Sequence, residues 1–321
     1  MSSYSLLEEK IKSAESILIV THVNPDGDAL GSEIAVKNLL KNKFNKNSDA
    51  VLIGRFPDVY NYLPSKDELI DLSDFDTEKI YDLAIGVDLA SLDRLCGVEK
   101  TYNNAKFKVN IDHHKTNNKY GDITFVDGNA SSTGEVLYQI FENISYDIDK
   151  DTAIALYTSI VTDTGCFKYK NTTEKSMIIC SKLLSKGADP SEITQQIYGN
   201  KPKAMVLLNA YAVSNTKFSN NGKIAYTIVT LNDLNKFNAE TDYTEGIVEV
   251  LREINTVEVA IFFKEMKNGY TKVSMRSKNI DIASVCKKYD GGGHTNAAGC
   301  TVMKPVNIAV EKILDEFKDI I

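Results

Sequence analysis

The run Ile19-Val20-Thr21-His22-Val23-Asn24-Pro25-Asp26-Gly27-Asp28-Ala29-Leu30-Gly31-Ser32 passes abruptly from apolar residues to three side chains able to ligate a metal. His22, Asp26 and Asp28 offer one imidazole and two carboxylates, a mixed N and O set suited to a divalent ion. Pro25 fixes the chain direction and Gly27 permits a sharp turn, so the two carboxylates can face one centre. A plainer reading also fits these residues, with Asp28 capping the following helix and His22 a loop histidine. Three further aspartates follow apolar runs: Leu83–Val87 leads into Asp88, Val109-Asn110-Ile111 into Asp112-His113-His114, and Ile160-Val161-Thr162 into Asp163. One such junction is weak evidence. Four of them, two carrying histidine, are hard to assign to capping, because parallel strands bring their carboxyl ends to one edge of a sheet. The four histidines of the chain are His22, His113, His114 and His294, the last following the triplet Gly291-Gly292-Gly293.

These residues need elements to hold them. Short apolar runs at Ser16–Val20, Ala50–Ile53, Leu83–Val87, Lys108–Ile111 and Ile123–Val126 alternate with polar or helical segments, the pattern of a largely parallel sheet covered by helices. Helical spacing follows from Ala29 to Leu40. Ser132-Thr133-Gly134-Glu135 has capping-box spacing before a helix over Val136–Phe141, and another helix runs from about Thr152 to near Asp163. The acidic stretch Ser65–Lys79 reads as a solvated loop. Beyond linker helices at 191–218, Lys223–Thr230, Val257–Glu265 and Tyr270–Arg276 alternate like strands, with Asn268-Gly269 as a hairpin turn. The fold class expected is α/β: an N-terminal, mostly parallel sheet with flanking helices at 1–190, then a smaller mixed α/β domain at 219–321.

A chain of 321 residues is long for one core and suits two domains. With 43% hydrophobic and 25% charged residues it has a globular composition, and no apolar run reaches membrane-spanning length. The first twelve residues lack the features of a signal peptide, so a cytoplasmic location is expected and no membrane partner. The five cysteines show no CxxC spacing, which points to buried thiols and not to a disulfide framework or a cysteine zinc site. Net charge is −7 and the lysines are dispersed, which disfavours a long nucleic-acid track.

The motifs His22-Val-Asn-Pro-Asp26-Gly-Asp28, Val87-Asp88, Asp112-His113-His114, Thr162-Asp163-Thr164-Gly165 and Gly291-Gly292-Gly293-His294-Thr295-Asn296-Ala297-Ala298-Gly299 together resemble the DHH phosphoesterase superfamily. The similar branch carries a DHHA1 C-terminal domain, and the similar subgroup is the nanoRNase and 3′-phosphoadenosine 5′-phosphate phosphatase type. The resemblance implies a phosphoric ester hydrolase acting by two-metal hydroxide attack on very short oligoribonucleotides, on that bisphosphate, or on a cyclic or linear dinucleotide held in a cleft between the domains. It implies that His22, Asp26 and Asp88 hold one ion, and that Asp28, Asp88, His113 and Asp163 hold a second. Asp88 bridges in that scheme, Asp112 supports from behind, and His114 faces the substrate phosphate. Four carboxylates against two divalent ions leave a near-neutral centre for an anion. Imidazole with carboxylate suits Mn²⁺, with Co²⁺ or Mg²⁺ as lesser choices. In the second domain, Arg276 becomes a bidentate phosphate partner, and Gly292 and Gly293 beside His294 an anion nest; alone, the glycines fit a tight turn equally well. Ser132 is a secondary expectation as a substrate contact. A homodimer and a non-catalytic nucleotide-binding regulator are alternatives that this reading leaves open.

Overall fold

The computed structural model describes residues 2–318 and 320–321, and the chain forms two units, Met1–Asn200 and Lys201–Ile321. In the first unit, strands β1 (Ile17–Val20), β2 (Asp49–Leu52), β3 (Ile70–Asp71), β4 (Leu83–Val87), β5 (Phe107–Asp112) and β6 (Ile123–Val126) make one sheet. Its order is β3-β2-β1-β4-β5-β6, with every neighbouring pair parallel. Strands β1 and β4 are buried at every position, as a sheet covered on both faces requires.

Among the described residues, the α-helices of this unit are α1 (Ser3–Ser13), α2 (Gly27–Phe44), α3 (Glu99–Asn104), α4 (Thr133–Asn143), α5 (Lys150–Asp163), α6 (Glu174–Ser185) and α7 (Pro190–Thr194). Because side chains alternate across a strand, Ile17 and Ile19 pack with Leu30 and Ile34 of α2, Phe141 of α4 and Ile160 of α5. Leu18 and Val20 go to the other face, with Leu95, Val98 and Tyr102. Helix α2 is buried without interruption from Gly27 to Leu40, which is why it lacks a clear polar face. It even buries Glu33. Burial pushes its carboxyl up to about 8, tempered by the backbone of Val51 and the ammonium of Lys37.

Three expectations change here. The acidic stretch read as a loop contributes β3, a two-residue edge strand paired to β2. The helix expected from about Thr152 to near Asp163 is present, so Asp163, grouped above with the strand-end aspartates, closes a helix instead: α5 starts at the cap Asp149, whose side chain accepts from Thr152 N–H, and runs unbroken to Asp163. Of the five thiols, Cys180, Cys286 and Cys300 are buried, but Cys166 is half-buried and Cys96 exposed; all five are free.

The second unit holds α8 (Lys203–Ser214), β7 (Lys217–Ser219), β8 (Ile224–Val229), α9 (Leu231–Phe237), α10 (Ile247–Glu253), β9 (Val259–Glu265), β10 (Thr271–Ser277), α11 (Ala283–Lys287), β11 (Gly292–His294), β12 (Ala297–Val302) and α12 (Val306–Asp315). Its sheet, in the order β11-β12-β10-β9-β8-β7, is mixed: β8 and β9 are parallel and the other pairs antiparallel. The β9–β10 hairpin turns at Asn268-Gly269 with Gly269 at φ +80°. The division at Asn200 falls inside the stretch read as linker helices. Helix α8 packs Leu208 and Ala212 in one cluster with Ala225 and Val229 of β8, and β7 pairs with β8, so both belong to the second unit. Among the described residues, no helix is long and apolar enough to cross a membrane.

Candidate metal centre

In the first sheet the strand order reverses between β1 and β4, and in open α/β sheets the ligand crevice opens at the carboxyl ends of such strands. His22 follows β1 by two residues, and Asp88 follows β4 directly. Asp26 is the N-cap of α2, its Oδ1 accepting from the N–H of Asp28 at 3.0 Å and of Ala29 at 3.1 Å. The cap reading was therefore right in kind and falls on Asp26, which leaves Asp28 in the first turn free for other work. Asp28 is buried. Its Oδ2 accepts from Thr133 N–H at 2.8 Å, and its Oδ1 from Gly134 N–H at 3.3 Å and from the hydroxyls of Ser32 and Ser159. These two amides belong to the first turn of α4, whose N–H groups lack helical acceptors and favour an anion.

Asp88 adopts φ +49°, a left-handed conformation that costs a residue with a β-carbon about 1–3 kcal/mol and recurs at functional sites. Its N–H donates to Ile111 C=O at 3.0 Å, and Thr133 Oγ1 donates to its Oδ1 at 3.1 Å. His22 Nε2 stands 3.4 Å from Asp88 Oδ2, while its Nδ1 lies 3.0 Å from the carbonyl of Val23. His113 Nε2 is 3.5 Å from Asp28 Oδ2, 3.6 Å from Asp163 Oδ2 and 3.8 Å from Asp88 Oδ1. His114 Nδ1 is 2.8 Å from Asp112 Oδ1 and 3.6 Å from Asp88 Oδ1.

Three overlapping groups could each hold a metal ion: His22, Asp26 and Asp88; Asp28, His113 and Asp163; and Asp88, His113 and His114. Within each group the candidate ligand atoms lie within 4.8 Å of one another. Electrostatics agree with the donor chemistry. Burial, then the charges of Asp88 and Asp163, push Asp28 well above the usual carboxylate range. Burial also lifts Asp163 to about 6, with Asp88 adding to the rise and His113 opposing it. Asp88 is held low despite its burial, because His22 bonds to it and the three histidines face it. The Asp112 hydrogen bond lifts His114 to about 9 against the effect of burial. Burial and the neighbouring carboxylates thus oppose the charged forms of Asp28 and Asp163, and a divalent ion has the charge and donor preference to favour them.

The second-unit candidates have different surroundings. Arg276, in β10, has Nη2 2.9 Å from Glu249 Oε1, and its Nη1 donates to its neighbour Met275 C=O at 2.9 Å. The glycine triplet does not form a run of free amides. Gly291 N–H donates to Cys286 C=O at 3.0 Å, and Gly292, Gly293 and His294 form β11, an exposed edge strand paired to β12. Close approach to β12 is the reason for two of the glycines: a Cβ on Gly291 would meet Gly299 O at 2.3 Å, and one on Gly293, at φ +138°, Ala297 O at 2.4 Å. Ser132 is fully buried as the N-cap of α4, accepting from Glu135 N–H at 3.2 Å. The capping role expected of Ser132 is borne out. The capping box is only half formed, because the Glu135 carboxylate turns to Ser131 N–H at 3.0 Å and to its hydroxyl at 2.7 Å.

Supporting residues escaped sequence reasoning. Ser159 precedes Asp163 by four residues on α5, a same-face spacing that could have flagged it. Asn117 Nδ2 donates to Asp112 Oδ2 at 2.6 Å, and Asn171 Nδ2 to Asp163 Oδ2 at 3.3 Å. Arg94 Nη2 stands 3.2 Å from His22 Nδ1. Asn117 and Asn171 lie in loops and Arg94 in a single 3-10 turn, Leu92–Leu95, so none of the three carries a periodic signal.

Residues 16–160 match the family model for the DHH family, N-terminal domain, and residues 221–321 that for the DHHA1 domain. A probable bifunctional oligoribonuclease and PAP phosphatase NrnA of Streptococcus mutans is 34% identical, with 93% of each chain covered. The chain belongs to the DHH family. Its Bacillus subtilis relative, a bifunctional oligoribonuclease and PAP phosphatase NrnA, is 31% identical over 90% of each chain. An exopolyphosphatase-related protein from Bacteroides fragilis, known as a crystal structure, superposes with a TM-score of 0.92 at 27% identity, covering 99% of this chain and 96% of that one. DHH phosphoesterases are metal-dependent, in keeping with the acidic and histidine groups of this DHH-family chain.

Proposed function

We propose that this chain hydrolyses phosphate esters of very short oligoribonucleotides and of 3′-phosphoadenosine 5′-phosphate, using two divalent ions, manganese first among them. The observation that carries the reading is the convergence of His22, Asp26, Asp28, Asp88, His113 and Asp163 in overlapping ligand groups at the strand-order reversal. In this reading His22, Asp26 and Asp88 hold one ion, and Asp28, Asp88, His113 and Asp163 the other. Such a pair, when bound, supplies an activated water and neutralises the charge of an in-line displacement. Asp88 joins the two groups, its strained backbone fixing the carboxylate between them. Asp112 orients His114 through the 2.8 Å contact, so that the imidazole stabilises a phosphate oxygen or gives a proton to the departing one. Arg276, His294, Gly292 and Gly293, all in the second unit, are the residues we assign to holding the substrate. The mixed N and O donors support Mn²⁺, with Co²⁺ or Mg²⁺ as substitutes. We place the enzyme in the cytoplasm.

The test is phosphate release and nucleotide product analysis on a panel of diribonucleotide, 3′-phosphoadenosine 5′-phosphate, cyclic di-AMP and a long single-stranded RNA, with manganese and after chelation. Fast turnover of the first two, loss on chelation and recovery with Mn²⁺ are expected. Full activity of the chelated protein, or equal turnover of the dinucleotide and the long RNA, would overturn the reading. Turnover of cyclic di-AMP alone would move it to a cyclic-dinucleotide phosphodiesterase.

A further inference from the structure

A cavity of about 280 Å³ opens beside the metal centre, entirely within the first unit, lined by His114, Lys115, Asn117, Lys119 and Asn129, with Val126 and Gly128 completing it. His114 is common to both places, since its Nδ1 lies 3.6 Å from Asp88 Oδ1. Ligand pockets commonly run to roughly 300–1,000 Å³, so this one suits a fragment of a nucleotide and not a whole one. Its chemistry is cationic. The ammonium groups of Lys115 and Lys119 have no ion-pair or hydrogen-bond partner among the described residues, whereas nearby Lys100, Lys106 and Lys108 pair with Glu78, Asp82 and Asp122.

The cavity wall is also built, not incidental. Asn117 Nδ2 donates to Leu89 C=O at 3.1 Å and to Asp112 Oδ2 at 2.6 Å, which ties the loop to the carboxylate that orients His114. The same asparagine's Oδ1 accepts from Lys119 N–H at 2.6 Å and holds Lys119 at φ +52°. Gly128 leaves room for the Lys115 stem, because a Cβ there would come within 2.8 Å of Lys115 Cγ. Two unpaired ammonium groups beside two carboxamides, next to a centre that takes one phosphate, describe a receptor for a second phosphate.

We propose that this pocket binds the non-scissile phosphate of the substrate, with Lys115 and Lys119 as the residues that set the preference for nucleotides carrying a second phosphate. The proposal rests on the phosphoesterase reading above. Lysine serves here as a point charge, so the site reads phosphate charge and not base identity.

The experiment compares wild type with the Lys115→Met/Lys119→Met double variant on 3′-phosphoadenosine 5′-phosphate and on 3′-AMP, which carries the same ester without the 5′-phosphate. The ratio of kcat/KM for the bisphosphate over the monophosphate should fall roughly tenfold or more, mainly through KM. An unchanged ratio, through equal losses on both substrates or none, overturns the proposal. A binding arm separates it from the catalytic reading. Calorimetric titration of the chelated proteins with 3′-phosphoadenosine 5′-phosphate should show salt-sensitive binding to wild type and a clear loss in the variant. Equal affinities, or no measurable binding by wild type, overturn the pocket assignment even if no ester is turned over.

Discussion

Asp88 meets several demands at one position: it ends β4, bears a left-handed backbone, accepts from Thr133 Oγ1 and faces three histidines. A carboxamide in its place keeps the size and loses the charge. Asp88→Asn should therefore lose metal from both groups and lower kcat/KM by at least about a hundredfold, since loss of residues that merely support ligands already costs 10–100-fold. Elemental analysis beside steady-state kinetics checks this, and a variant with native metal content and most of its activity would remove Asp88 from the centre. Asp88 was legible in the sequence because an apolar run ending in aspartate is a local pattern. The same logic located His22, Asp28 and His113. It set Asp163 beside the strand ends, although the run before it closes the helix expected from about Thr152, and Asp163 still falls in a candidate ligand group. It also overlooked Asn117 and Asn171, whose role exists only once loops distant along the chain have folded back on the carboxylates.

At the scale of elements, the centre depends on how closely α2 and α5 approach, because α2 carries Asp28 while α5 carries Ser159 and Asp163. Gly31 permits that approach: a Cβ there would lie 2.4 Å from Ala155 O and 3.0 Å from Ser159 N, both rigid backbone atoms. Gly31→Ala must push the helices apart, which should cost about 1–3 kcal/mol of stability and weaken metal binding by displacing Ser159 from Asp28. Thermal melts and metal titration read the two effects separately. An alanine variant as stable as wild type, with equal metal affinity, would show that the helices adjust without moving the ligands. Such a contact is invisible in the sequence, because a glycine inside a helical run does not reveal which backbone will lie against it. The strands themselves were readable, since a doubly covered parallel sheet writes its strands as short apolar runs. The edge strands β3 and β11 were not, because three residues or fewer of polar or glycine-rich chain carry no period.

For the whole molecule, two units with separate cores and a net charge of −7 place the burden of holding an anionic substrate on few cations. Arg276 is the one proposed above for that role, and its guanidinium is already paired with Glu249. Both side chains are about a third exposed, and an ion pair of that kind contributes about 0–1 kcal/mol. A charge-assisted hydrogen bond to phosphate is worth about 1.5–3 kcal/mol, so phosphate should win the guanidinium from the carboxylate. Two substitutions then act in opposite directions. Arg276→Ala should raise KM for a dinucleotide roughly ten- to a hundredfold with metal content intact, and should matter little for a minimal phosphate ester that makes no contact with Arg276. Glu249→Gln removes the competitor and should lower KM for the same dinucleotide by up to about fivefold, the equivalent of 1 kcal/mol. The decisive comparison is the sign of the two changes on one substrate. If both substitutions raise KM, Glu249 positions Arg276 instead of competing for it, and if Arg276→Ala loses metal or fails equally on the minimal ester, its role lies in stability and not in the grip on substrate.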